Sequence, residues 1–192
     1  MLSLSQYLKE QFQLSASDIE KFSSGFEKRT LKKNQYFLRA GNRCREIAFI
    51  NQGVMRNYYI DPDGNEVVNY MTSDSDFNTV YSSFIDQSIC NESIKAVTDC
   101  ELSVINYETF FKLRRESDSF VKMVDQLVAA GLECKEMRLR SYLYEDAQRR
   151  YENLLLNQPK IVQYSPLHYV ASYIGVSRET LSRIRNRRVV NA

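Results

Sequence analysis

The glycine at position 175 divides a short apolar-striped segment from a cationic one, and its neighbours leave the backbone few solutions. Val170 and Ile174 lie four apart and form the inward stripe of one helix, with the small Ala171 where a second helix must cross closely. Gly175 can take the positive φ that a sharp turn demands. Val176 plugs that turn, and Ser177 is a natural N-cap for the next helix. Leu181 and Ile184, three apart, give the second helix its buried face. Arg178, Glu179, Ser182, Arg183 and Arg185 are left on the outside. Residues 165–185 therefore read as a helix-turn-helix whose outer groups can hydrogen-bond base edges or phosphates. A core hairpin with a solvated basic face is the competing reading; it does not require all of these residue types at these offsets together.

Charge is partitioned to match. The chain carries 26 Lys+Arg and 24 Asp+Glu over 192 residues. Residues 1–134 hold 15 basic and 19 acidic groups, a net of −4, while residues 135–192 hold 11 and 5, a net of +6. A basic module is thus attached to an acidic one. Phosphate affinity follows the local field, so the modest overall pI of 8.3 understates it. Arg185, Arg187 and Arg188 follow the second helix and can extend along a phosphate backbone.

Nothing in the N-terminal stretch resembles an apolar signal segment, and no run is long enough to span a membrane. A soluble, cytoplasmic protein with no membrane partner is expected. Cys44, Cys90, Cys100 and Cys134 are widely spaced and the single histidine is His168, so no metal site is expected. Buried reduced thiols are the plain reading of the cysteines; no spacing supports a redox switch. There is no phosphate-cradling glycine loop and no visible nucleophile–base arrangement, so an enzyme is not expected.

Along the chain, the first 25 residues read as helical, with cap chemistry at Ser15-Ala16-Ser17-Asp18. From Phe26 to about Tyr107 the texture is of short β-branched and aromatic runs between glycines. Residues 47–50, 54–60, 66–71, 93–97 and 101–105 read as strands, with a hairpin turn at Asp61-Pro62-Asp63-Gly64-Asn65. Such spacing suggests a sandwich or barrel, a jelly roll among the options. Helix returns after Tyr107, with a long one near 117–144. On it Phe120, Val124, Leu127 and Gly131 repeat at 4-3-4 spacing, which fits a homodimer seam or packing against the chain's own β module. A further helix over 146–156 ends at Asn157-Gln158-Pro159.

This order, and above all Gly175-Val176-Ser177-Arg178-Glu179-Thr180-Leu181-Ser182-Arg183-Ile184, resembles the Crp/Fnr family of bacterial transcription regulators over nearly the whole chain. The resemblance implies an α+β architecture. Residues 1–143 would form a double-stranded β-helix (jelly roll) sensor domain of cyclic-nucleotide-binding type with a dimerisation helix at about 117–143. Residues 144–192 would form a winged-helix-like DNA-binding domain. It also implies a homodimer on an inverted repeat of double-stranded DNA, with RNA polymerase and an unidentified small-molecule effector as further partners and no cofactor. By the resemblance Arg178, Glu179 and Arg183 read bases, and Ser177, Thr180, Ser182, Arg185, Arg187 and Arg188 complete the DNA-binding set. Where cyclic-nucleotide-binding members carry Phe-Gly-Glu, this chain has Phe77-Asn78-Thr79; where they carry Arg-Ser, it has Cys90-Asn91. These five positions are the candidate effector site. A buried phosphate without its arginine loses a charge-assisted contact of roughly 1.5–3 kcal/mol, so cyclic AMP is not the expected ligand. Only nine residues follow Arg183, which leaves little room for a wing. The alternative function is a small-molecule sensor acting mainly through protein–protein contacts.

Overall fold

Serine caps set the first two helices. The computed structural model describes residues 2–190, with side chains up to residue 187. In α1 (Leu4–Gln11) the Ser3 hydroxyl accepts the Gln6 N–H while the Gln6 side chain accepts the Ser3 N–H. In α2 (Ala16–Ser24) Ser15 accepts the Asp18 N–H.

The glycine-punctuated region then forms β1 (Glu27–Leu31), β2 (Tyr36–Leu38), β3 (Glu46–Gln52), β4 (Met55–Ile60), β5 (Glu66–Thr72) and β6 (Phe77–Asn78). A short helix α3 (Tyr81–Asp86) precedes β7 (Ser93–Ala96) and β8 (Cys100–Asn106). All pairings are antiparallel, in two four-stranded sheets of order β1-β8-β3-β6 and β2-β7-β4-β5. Apart from the β4–β5 hairpin, consecutive strands alternate between the sheets, as in a roll. The β4–β5 hairpin closes where Asp61 accepts the N–H groups of Asp63 and Asn65 and Gly64 takes φ +85°.

Six helices follow: α4 (Tyr107–Glu116), α5 (Asp118–Tyr144), α6 (Ala147–Asn157), α7 (Pro159–Tyr164), α8 (Leu167–Ile174) and α9 (Arg178–Val190). Ser117 caps α5 and Asp146 caps α6. The Gln158-Pro159 break does end α6, but Pro159 then starts α7, since its missing N–H costs nothing in a first turn.

Two apolar clusters hold this together. The first joins the roll interior (Phe49, Ile50, Met55, Ile94, Leu102) to α1, α2, α4 and the start of α5. In it the Phe120 ring meets Phe22 and Phe110 edge-on at 5.0 and 5.5 Å. The second joins Val54, Tyr58, Val68, Met71 and Val97 to Tyr151, Leu154, Ile161, Val170, Ala171, Ile174 and Leu181. Strand register explains the split. Met55 pairs with Thr72 and Asn57 with Tyr70 on one face; Arg56 pairs with Met71 and Tyr58 with Val68 on the other. The second sheet therefore turns one face into the roll and the other onto the C-terminal helices. Each large apolar side chain so covered contributes about 1.5–3 kcal/mol.

Two expectations change. Phe120 and Val124 are buried in the chain's own first cluster, so these two are not available to a second copy, and Leu127 packs partly against the same cluster. Gly131 is exposed, with open space where a Cβ would stand. The exposed apolar row lies further along α5, at Val128, Leu132, Leu139 and Leu143. Second, the winged-helix-like form implied by the resemblance shows no wing among the described residues: no strand follows β8, and α9 runs on to Val190.

Candidate nucleic-acid interface

The segment around Gly175 folds as its residue types dictate. Gly175 ends α8 at φ +74°, ψ +40°, where its N–H reaches the carbonyls of Ala171 and Ser172. Two residues on, the Ser177 hydroxyl accepts the Thr180 N–H at 3.2 Å and caps α9. Val170, Ala171, Ile174 and Leu181 are buried, with Val176 and Ile184 packed against them. The helix pair is thus fixed within the second apolar cluster, which it shares with the second sheet.

Its outward face carries the cations. Arg178, Glu179, Arg183, Arg185 and Arg187 are exposed, while Thr180 and Ser182 are half-covered. Ser177 and Thr180 are occupied with each other and with the cap, so their role is to set the helix start. The Arg188 side chain lies outside the described residues. Glu179 has its carboxyl held below the usual range by its own backbone N–H and the Ser177 hydroxyl, with Arg178 and Arg183 alongside. It is therefore an acceptor throughout the neutral range, as a partner for an amino group on a base edge must be. His168 is exposed on α8, its ring 4.1 Å from that of Tyr169.

Four of the five effector candidates are engaged internally. Asn78 donates to Asn57 Oδ1 at 2.9 Å and to Thr72 Oγ1 at 2.7 Å, all three buried inside the roll. The Asn78 carbonyl oxygen has no partner. Phe77 stacks in an aromatic group with Phe49 and Tyr7. Thr79 donates to the Glu46 carbonyl at 3.0 Å and contacts the Cys44 thiol at 3.2 Å. Burial pushes the Cys90 thiol up; it bonds to carbonyls of Asn42 and Glu92, while Asn91 is exposed. The buried arginine of the second sheet, Arg56, faces away from this interior by the register given above.

Sequence reasoning missed Arg56 and its partners. The signal was there as a lone cation in the apolar run Val54-Met55-Arg56-Asn57-Tyr58. The Arg56 guanidinium lies between the rings of Tyr58 and Tyr169, 4.1 and 3.9 Å from their centroids. It donates to Glu66 at 2.6 Å and to the Tyr169 hydroxyl at 3.2 Å.

Comparison with known proteins agrees with this anatomy. The cyclic nucleotide-binding domain family model matches residues 28–117. A curated relative, the cAMP-activated global transcriptional regulator CRP of Pasteurella multocida, is 24% identical over 157 residues, 77% of this chain and 75% of its own. FixK2 from Bradyrhizobium japonicum superposes with a TM-score of 0.76 at 13% identity, covering 86% of this chain and 85% of the other. A putative Crp/Fnr-family transcriptional regulator from Eubacterium rectale gives 0.70 at 20% identity, covering 96% and 87%. The β-roll segment thus matches the cyclic nucleotide-binding domain family, and the chain shares the fold of these solved structures along nearly its full length.

Proposed function

We propose that this chain is a sequence-specific DNA-binding transcription regulator that reads an inverted repeat as a homodimer. The observation that carries the reading is the capped α9, anchored by the buried Leu181, with Arg178, Glu179, Arg183, Arg185 and Arg187 exposed on its outer side. Arg178 and Arg183 have the fork geometry for guanine O6/N7, and Glu179 suits cytosine N4. Arg185 and Arg187, beyond the first two turns, fit phosphate contacts. The exposed row Val128, Leu132 and Leu139 on α5, at 4-3-4 spacing through Lys135, is the surface offered to a second copy. A two-fold pair would place the two α9 helices in successive major grooves about 34–36 Å apart.

Cyclic AMP does not fit as the effector in this reading, although it activates the relative named above. The roll interior holds a neutral Asn57–Thr72–Asn78 network, with neither a carboxylate for a ribose nor a guanidinium for a phosphate among the candidate residues. Selection of bound duplexes from a random pool tests the main claim. An enriched palindrome with half-sites one helical turn apart is expected, and Arg183→Ala should cost about 1–3 kcal/mol on it. A pool with no enriched symmetric sequence would remove sequence-specific reading.

A further inference from the structure

The contact between the β roll and the helix-turn-helix is built from two guanidiniums and two phenol rings set one helical turn apart. Tyr169 and Tyr173 stand at i and i+4 on α8, hence on one side of it. Arg56, from β4, covers the Tyr169 ring at 3.9 Å. Arg138, from α5, covers the Tyr173 ring at 3.9 Å and donates to the carbonyls of Asn69 and Tyr173. Between them the Val68 N–H of β5 donates to the Ser172 hydroxyl at 2.9 Å. The long α5, the sheet and α8 are thereby tied at three adjacent points.

Stability alone does not account for this construction. Arg56 is 1% exposed and its Nη1 has no partner. Its ion-pair partner Glu66 stays exposed, so the desolvation falls on the guanidinium alone and apolar side chains of similar volume would match its contribution. The planar fork, in contrast, fixes an orientation that apolar contact does not. The direction of α9 is set by α8, and the exposed apolar row that would meet a second copy lies on the same α5 that carries Arg138.

We infer that Arg56 and Arg138, clamping Tyr169 and Tyr173, are positioning residues that hold the DNA-reading helix at a fixed angle to α5 and so set the half-site spacing the protein accepts. This inference rests on the DNA-binding reading above and adds a geometric determinant to it. Neither arginine is placed at the duplex. They act by removing orientational freedom from the module before it meets DNA, which otherwise must be lost on binding.

The test uses the full chain with Arg56→Met and Tyr169→Phe. Methionine has the length to fill the space between the rings, and phenylalanine keeps the ring while losing only the hydroxyl. Amide exchange is read first, without DNA. In Arg56→Met the Val68 amide is expected to exchange at least about tenfold faster, with the Phe49 amide of β3 unchanged. Unaltered Val68 protection in both variants would overturn the clamp whatever the protein binds. Binding is then measured on the selected palindrome, on a single half-site, and on palindromes with the spacer changed by one or two base pairs. The expected result for Arg56→Met is about tenfold weaker binding to the palindrome, unchanged half-site binding and a broadened spacer preference. Tyr169→Phe should move the same way by less. A parallel fall on palindrome and half-site, or an unaltered spacer preference, would refute the positioning role. If wild type itself selects no palindrome, the DNA reading fails, while the exchange result still reports on the clamp.

Discussion

Asp76 should lower the protein's stability at neutral pH relative to its contribution at pH 4, and replacing it with asparagine should remove that penalty. The residue ends the loop before β6, where the roll, α5 and α8 meet. Its carboxylate accepts one N–H, from Ser73 at 3.0 Å. Burial, aided by the nearby charge of Asp74, pushes its pKa from 3.8 up to about 6 against that hydrogen bond. The groups around it come from four elements: Tyr7 of α1, Tyr70 of β5, Cys134 of α5 and Tyr173 of α8 are all displaced upward, chiefly by their own burial, with the Asp76 charge contributing. A carboxyl whose folded pKa lies above its unfolded one stabilises fully below the unfolded value, and that contribution disappears as pH rises through the folded value. The window is therefore about pH 4 to 6. A shift of about two units at 1.36 kcal/mol each bounds the effect at roughly 3 kcal/mol, and the residual solvent contact of the side chain reduces it to about 2. Asp76→Asn keeps an oxygen for the Ser73 N–H and removes the charge. Urea denaturation from pH 4 to 8 on both proteins reads the difference directly. Exposed carboxylates held low by local hydrogen bonds, Asp61 and Asp86 among them, act in the opposite sense but cancel in the comparison. The variant should be more stable than wild type by about 2 kcal/mol at pH 7.5, a melting shift of roughly 4–8 °C for a chain of this size. The two should converge at pH 4. A pH-independent difference, or a variant weaker at pH 7.5, would mean that Asp76 is a satisfied anion and the reasoning is wrong.

Two further outcomes follow from surfaces and turns. Leu132→Glu combined with Leu139→Glu places charges in the exposed row of α5, where both leucines are more than half exposed. Light scattering should find a monomer with an unchanged melting point, and a surviving dimer would place the seam elsewhere. Gly175→Ala must hold alanine at φ +74° with its Cβ 2.8 Å from the half-exposed Tyr142 ring. That ring has to shift against its hydroxyl contacts with Arg138 and Tyr173, so the cost is backbone strain of about 1–2 kcal/mol plus a part of those contacts. Gly53→Ala meets Cys100 Sγ at 2.6 Å and the Asp99 carbonyl at 2.8 Å, at φ +119°. Neither can retreat, and overpacking adds to strain for about 3 kcal/mol or more. Thermal melts that reverse this ranking would contradict the packing described at the two turns.

What could be read from the sequence divides along a physical line. Interactions closed within a dozen residues were legible, because the residue that makes them sits beside the one that needs them. The Ser15 cap, the Asp61–Asn65 turn and the Gly175–Ser177 junction are of this kind. The strands β1, β2 and β6 carry little periodicity of their own and exist because β8, β7 and β3 offer them partners. Helix α5 shows the limit most sharply. A 4-3-4 apolar repeat states that a face will be covered without stating by what, and Phe120, Val124 and, in part, Leu127 were covered by the chain's own core. The free stripe is the weaker one downstream, which periodicity alone ranks second. Arg56 fails in the other direction. A single arginine in a strand reads as an edge or surface charge, and only the arrival of Tyr169, 113 residues later in the chain, makes its burial tolerable. Helix α9 was legible because its cap and turn chemistry is local; the angle at which it is presented rests on long-range partners. Where those two kinds of information meet, at α8, one side of the helix serves the turn and the other serves the clamp, so substitutions on its two sides should separate recognition from geometry.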